Sequence, residues 1–167
     1  MFMKWIAAFL LLAVTACGFT PLYATLDDKQ VTNKTAEINI VPIDNYMGYL
    51  LQTNLRNQLN PEQIKASQNY DLIVTLPEPL ISDQNIQEDF FSSRERIIQK
   101  ANYKLIDRKT KQVLIDTTTS ATGSYNITLE PYATYMSKER VRENLIKILA
   151  QTISTHVISY MRKEVHS

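Results

Sequence analysis

Between Arg94 and Lys111 the chain carries a run of cations: Arg94, Arg96, Lys100, Lys104, Arg108, Lys109 and Lys111. Arginine can grip a phosphate through two parallel N–H bonds and lysine offers a point charge, so such a run can hold an anionic partner. Arg96, Lys100 and Lys104 fall at even spacing. An extended strand sends alternate side chains to opposite faces, so these three project from one side. Ile97, Ala101, Tyr103 and Leu105 then fill the other. Arg94 joins the candidate set by position. A solvated outer face over a core has the same pattern, and spacing alone leaves both readings open.

Catalytic chemistry finds less support. The three glycines, Gly18, Gly48 and Gly123, lie too far apart for a glycine-rich phosphate loop. His156 and His166 have no neighbouring Cys, His or carboxylates at metal-ligand spacing. His156 reads as a hydrogen-bonded, partly buried helix residue and His166 as a terminal one. There is no G-x-S-x-G element, and Asp27-Asp28 and Glu88-Asp89 sit in loop-like stretches where charge is simply solvated. The expectation is a non-catalytic protein with no metal and no bound cofactor. Tyr125, Tyr132 and Tyr135, with Phe90 and Phe91, form an aromatic group suited to either an interface or a core edge.

The cations must be positioned by secondary structure, and the pattern of the chain supplies it. Its 167 residues fit one domain, and 44% apolar with 21% charged residues is an ordinary globular composition. Glu37–Ile43 (EINIVPI) alternates as a strand that Pro42 ends. Tyr46–Leu59 places Met47, Leu51, Leu55 and Leu59 at helical spacing, with Asn60-Pro61 as the stop. Tyr70–Leu76 (YDLIVTL) alternates again and is closed by Pro77 and Pro79. Arg96–Asp107 is a third strand, and β-branched Val113–Tyr125 a fourth. From Ser137 to Val165 the period becomes helical, with Val141, Leu145, Ile148, Leu149, Thr152, His156 and Tyr160 as its stripe. The order predicts an α+β domain: two α-helices packed on a four-stranded, mostly antiparallel sheet in two layers.

The N-terminus gives an address. Lys4 precedes ten apolar residues, Trp5–Val14, the length of a signal-peptide core and short of the roughly 20 residues that span a bilayer. Val14-Thr15-Ala16 and the chain's one cysteine, Cys17, resemble the lipobox of bacterial lipoproteins. In those proteins the thiol receives a diacylglyceryl group and the new amine is acylated, and several chains give stable anchoring where one is marginal. This divides the chain into a removed signal (1–16), a lipidated tether (17–35) and an α+β domain (36–163). Removing Lys4 brings the 18 basic residues down to match the 17 acidic ones, so nothing in the net charge calls for nucleic acid. Gly18 lacks the acidic character associated with inner-membrane retention in enteric lipoproteins, which favours the periplasmic face of the outer membrane.

Several segments together resemble the LPS-assembly lipoprotein (LptE) family in its alphaproteobacterial form. They are CGFTPLYA at Cys17–Ala24, INIVPID at Ile38–Asp44, LLQTNLRNQL at Leu50–Leu59 and YDLIVTL from Tyr70. The run from Arg96 through ANYKLID, GSYN at Gly123–Asn126 and YAT at Tyr132–Thr134 follow in the same order. The hairpin turn DRKTKQ lacks the glycine common there in the family. The resemblance implies two helices on a four-stranded sheet and a place inside a large outer-membrane β-barrel of the LptD type. It also implies help in assembling that barrel and binding of lipopolysaccharide (LPS), with Arg96 where a basic LPS-contacting residue is found. Lys100 and Lys104 are proposed from strand geometry. An outer-membrane binding module of another envelope complex or of the cell wall is the alternative, and a lipid-acting hydrolase would need a Ser/His/Asp set that is not identifiable.

Overall fold

The computed structural model describes residues 26–83 and 93–165. The signal segment, Cys17, the start of the tether, Glu88-Asp89, Phe90, Phe91 and His166 therefore lie outside the described residues. In chain order the elements are α1 (Leu26–Ala36), β1 (Ile38–Ile40), α2 (Asn45–Leu59), β2 (Tyr70–Thr75), β3 (Leu80–Asp83), β4 (Ser93–Asp107), β5 (Val113–Ile127) and α3 (Pro131–Val165).

The expected α+β two-layer architecture is present, with five strands rather than four. Its spine is the β4–β5 hairpin, paired from Ser93↔Ile127 to Ile106↔Val113, with an irregularity at Leu105/Ile106. The connecting turn has no glycine, and Lys111 takes the left-handed conformation itself (φ 61°). Asp107 clamps the turn by accepting from the backbone N–H groups of Lys109 (2.7 Å) and Thr110 (2.8 Å). Those bonds, led by the one from Thr110, hold its carboxyl below the usual carboxylate range.

β2 and β3 both pair antiparallel with β4, as Leu72↔Leu105 and Val74↔Tyr103 for one and Leu80↔Ile98 and Ser82↔Arg96 for the other. They are two halves of one long strand interrupted by one extra residue around Pro77 and Pro79. The missing ladder bond is replaced by Gln99, which is buried and donates from Nε2 to the Pro77 carbonyl (2.8 Å). This break explains the strand count. The prolines read correctly as the end of β2, but the chain re-enters the sheet beyond them. β3 is exposed at all four positions and so has no hydrophobic alternation to announce it.

β1 lies parallel to β2, with Ile38↔Tyr70 and Ile40↔Leu72. A parallel pair needs a crossover, and α2 supplies it. Asn45, at φ 66°, turns the chain into the helix and accepts the Gly48 N–H at its Oδ1 (2.9 Å). Met47, Leu51, Leu55 and Leu59 are buried at the spacing expected for α2. α3 returns from β5 and runs parallel to α2. The pairs Tyr46–Glu143 (3.4 Å) and Gln58–Ser154 (2.5 Å) fix that direction.

The core lies between these helices and the odd-numbered face of β4: Leu51, Leu55, Leu72, Ile97, Leu105, Leu149, Ile153 and Val157 are all fully buried. On α3 the buried stripe is Leu145, Ile146, Leu149, Ala150, Ile153, Val157 and Met161. Of the expected stripe, Ile148 is half exposed and Thr152 and His156 face water, so that reading was rotated toward one side of the helix. α3 also begins at Pro131, six residues before the expected Ser137, with proline at the helix start where it removes no needed donor.

The expected tether also differs. From Leu26 it is helical; α1 packs on α3, and Val31, Thr35 and Ala36 are buried. Among the described side chains of residues 30–36 only Val31, Thr35 and Ala36 are buried, and they carry no apolar period.

Candidate anion-binding face

α2 and α3 both cover the odd-numbered face of β4, so the even-numbered face has no helix over it among the described residues. Arg94, Arg96, Lys100 and Lys104 are all exposed on this open face. The expected parity therefore holds, and Ile97, Ala101, Tyr103 and Leu105 are buried behind it.

Register places each cation in a row across the sheet. Arg94 stands opposite Asn126, Arg96 between Ser82 and Ser124, Lys100 opposite Ser120, and Lys104 between Ile73 and Asp116. The flanking side chains of β5 are small hydroxyls or amides: Ser120, Thr122, Ser124 and Asn126. Arg94 Nε donates to Ser124 Oγ at 3.0 Å, reaching diagonally into the row of Arg96. Lys104 Nζ lies 2.9 Å from Asp116 Oδ2. Both partners are exposed, so the pair is weak, yet it neutralises that end of the stripe. Arg94, Arg96 and Lys100 are the other exposed cations of the face.

The remaining basic residues of the run have other work. Arg108 binds Asp71 (Nε to Oδ2, 2.9 Å) and the Gln68 carbonyl (3.2 Å), fastening the start of β2 to the end of β4. Lys109 and Lys111 sit in the hairpin turn.

The aromatic group does not form one cluster. Tyr125 is buried, and its hydroxyl donates to Glu95 Oε2 on the helix-covered face. Burial, with Glu95 as bond partner and neighbouring charge, pushes this phenol up to about 12. Tyr132 and Tyr135 are exposed on the first turns of α3, close to exposed Leu129 and Met136 in sequence. Tyr103 and His156 share a hydrogen bond of 2.7 Å (hydroxyl to Nδ1), with the rings edge to face at 6.0 Å. The histidine is thus partnered as expected, but it is exposed rather than partly buried.

A concavity of about 380 Å³ lies beside β1 and is lined by Asn39, Arg56, Asn60, Lys65 and Gln68 among others. Among the described residues no group of three His, Cys, Asp or Glu is placed to hold a metal ion, and no helix is long and apolar enough to cross a membrane. Sequence reasoning missed one contributor to the open face: Leu80 of β3, which register sets directly beside Ile98 in the middle of the cations. Its strand carried no periodic signal.

No protein-family model matches the chain. The chain is 28% identical over 151 residues to the uncharacterised protein RP188 of Rickettsia prowazekii (strain Madrid E), covering 88% of this chain and 90% of the relative. Among solved structures it is similar to a chain described as a lipoprotein from Caulobacter crescentus. There the TM-score is 0.63 at 16% identity, over 80% of this chain and 96% of the other. It is also similar to a minor lipoprotein from Acinetobacter baumannii, with TM-score 0.53 at 17% identity, over 74% of this chain and 92% of that one. At these identities the likeness is one of fold, and the fold is one that bacterial lipoproteins use.

Proposed function

We propose that the chain is a non-catalytic, lipid-anchored subunit of the machinery that places LPS in the outer membrane, seated in an LptD-type β-barrel and binding LPS on its open sheet face. The observation that carries this reading is the sheet face, with no helix over it among the described residues, on which Arg94, Arg96 and Lys100 stand among hydroxyl side chains. Phosphates are the anions such a face suits, since arginine binds them in a fork and the serines and threonines add neutral donors. Support of a different kind comes from the LptE-like segments, CGFTPLYA among them, which run in order along the chain, and from the fold shared with two lipoproteins.

Acylation of Cys17 would confine the domain to the membrane and raise its effective concentration near a barrel partner. No bound cofactor enters the reading beyond those acyl groups. The alternative, a binding module of another envelope complex or of the cell wall, keeps the anchor and the fold but changes the partner.

Purification of the tagged chain from native membranes tests the partner, and LPS titration tests the ligand. The reading expects one dominant large β-barrel protein in the eluate, and LPS binding that Arg96→Glu weakens by about tenfold, the effect of losing one charge-assisted contact and adding a repulsive one. Recovery of a different complex would favour the alternative. Unchanged LPS binding by Arg96→Glu would remove Arg96 from the site.

A further inference from the structure

The open face is not uniformly polar. Between the Arg96 row and the Lys100 row lies a row made by Leu80, Ile98 and Thr122, which are direct cross-strand neighbours. Leu80 is 58% exposed, a large apolar side chain left in water at the centre of a cationic patch. At a strand rise of about 3.4 Å, the Arg96 and Lys100 backbones are roughly 14 Å apart, with this apolar row midway.

Two features make the row more than a stray exposed leucine. A face that binds only phosphates or sugars gains nothing from an exposed Leu80 beside a half-buried Ile98 at its middle, where polar side chains would serve better. Moreover, Leu80 reaches this position only because the chain re-enters the sheet after Pro77 and Pro79. The one-residue slip around these prolines changes the parity, so that Leu80 rather than Ile81 shares the face of Ile98. Without that slip the even-numbered face would receive a different side chain.

We propose that Leu80 and Ile98 form an acyl-chain subsite and that the ligand of this face is an acylated phosphate. Its anionic groups meet Arg96 and Lys100 while a hydrocarbon chain crosses the sheet between them. The inference rests on the LPS-binding reading above and narrows it, because it makes the acyl part of the ligand, and not the phosphates alone, a determinant of affinity.

The test uses the full chain carried in phosphatidylcholine nanodiscs, with empty nanodiscs as baseline. Two probes are titrated: LPS, and the same LPS stripped of its acyl chains but retaining its phosphates. Leu80→Thr introduces a β-branched residue suited to the strand and removes most of the apolar surface, so the sheet is retained; circular dichroism checks this. We expect wild type to bind LPS more tightly than the deacylated form. Leu80→Thr should lose about tenfold for LPS, with deacylated binding unchanged, whereas Arg96→Glu should weaken both probes. Equal affinity of wild type for the two probes, or a Leu80→Thr variant that binds LPS as wild type does or loses both probes equally, would overturn the acyl subsite while leaving LPS binding in place. Failure of wild type to bind either probe above baseline would overturn both readings together.

Discussion

Gly123 sits in β5 directly beneath α3, and a Cβ built there would lie 2.7 Å from Val141 Cγ1 and 3.3 Å from Leu145 Cδ2. The helix that closes the core can approach the hairpin this closely because the strand has no side chain at that point. Gly123→Ala has two opposed effects. Removing glycine from a strand reduces the freedom of the unfolded chain, which ordinarily stabilises by about 0.4–1 kcal/mol. Against this, Val141 is β-branched and has few rotamers to move into, so α3 must lift or the strand must shift, and overpacking of this kind costs about 1–3 kcal/mol. The second effect wins, leaving a net loss of about 1–2 kcal/mol. Urea unfolding followed by circular dichroism should show a lower midpoint at unchanged slope. Val141→Ala removes the clashing methyl, so the double variant should be more stable than the sum of the single changes allows, with a coupling of about 1 kcal/mol. A Gly123→Ala protein as stable as wild type, or additive single changes, would refute the account of how α3 seats on β5.

Gln99→Leu should destabilise by about 1–3 kcal/mol, because it strips the Pro77 carbonyl of its donor at the break between β2 and β3; denaturant unfolding measures it. Gln99→Asn, too short to reach, should behave similarly. Tyr125 should ionise at about 12, well above an ordinary phenol, in an alkaline absorbance titration, and Tyr125→Phe should remove that step. Because the folded-state value is raised, the stabilisation tied to the neutral phenol is complete below about pH 10 and is lost as the pH climbs toward 12.

The parts legible in the sequence are those where one face of an element is buried and the other is not. β4 declares its register by the alternation of Lys100 to Leu105, which Ile97 continues and Ile98 and Gln99 interrupt, and the cations on its even positions follow from it. α2 declares itself through Met47, Leu51, Leu55 and Leu59. Elsewhere the signal is missing for physical reasons. β3 has no buried residue, and Pro77 and Pro79 argue against a strand that in fact resumes after them. α1 is polar along most of its length, buries Val31, Thr35 and Ala36 and packs against α3, a tertiary contact that local propensity does not contain. On α3 the apolar residues outnumber the buried positions, so Ile148 competes with Ile146 and Ile153 for the stripe and the centre is misplaced. Leu80, the residue that changes the character of the open face, is hidden for the same reason as its strand.

The parallel placement of β1 has a consequence for how the molecule assembles and comes apart. β4 and β5 meet across the short turn Arg108–Gln112, whereas β1 must find β2 across Val41–Asn69, a connection about six times longer. Each doubling of a closing loop costs only about 0.6 kcal/mol, so the difference is near 1.5 kcal/mol, but it falls on a strand with just three register pairs to offset it. The hairpin is thus the natural seed of folding and β1, with α1 ahead of it, a late addition. The same asymmetry governs opening: tension applied from the N-terminal side bears first on the element with the fewest ladder bonds. α1 and β1 can then detach as one small cooperative unit while the hairpin and α3 stay folded. A chain pulled from that end has some slack to give before its core is disturbed.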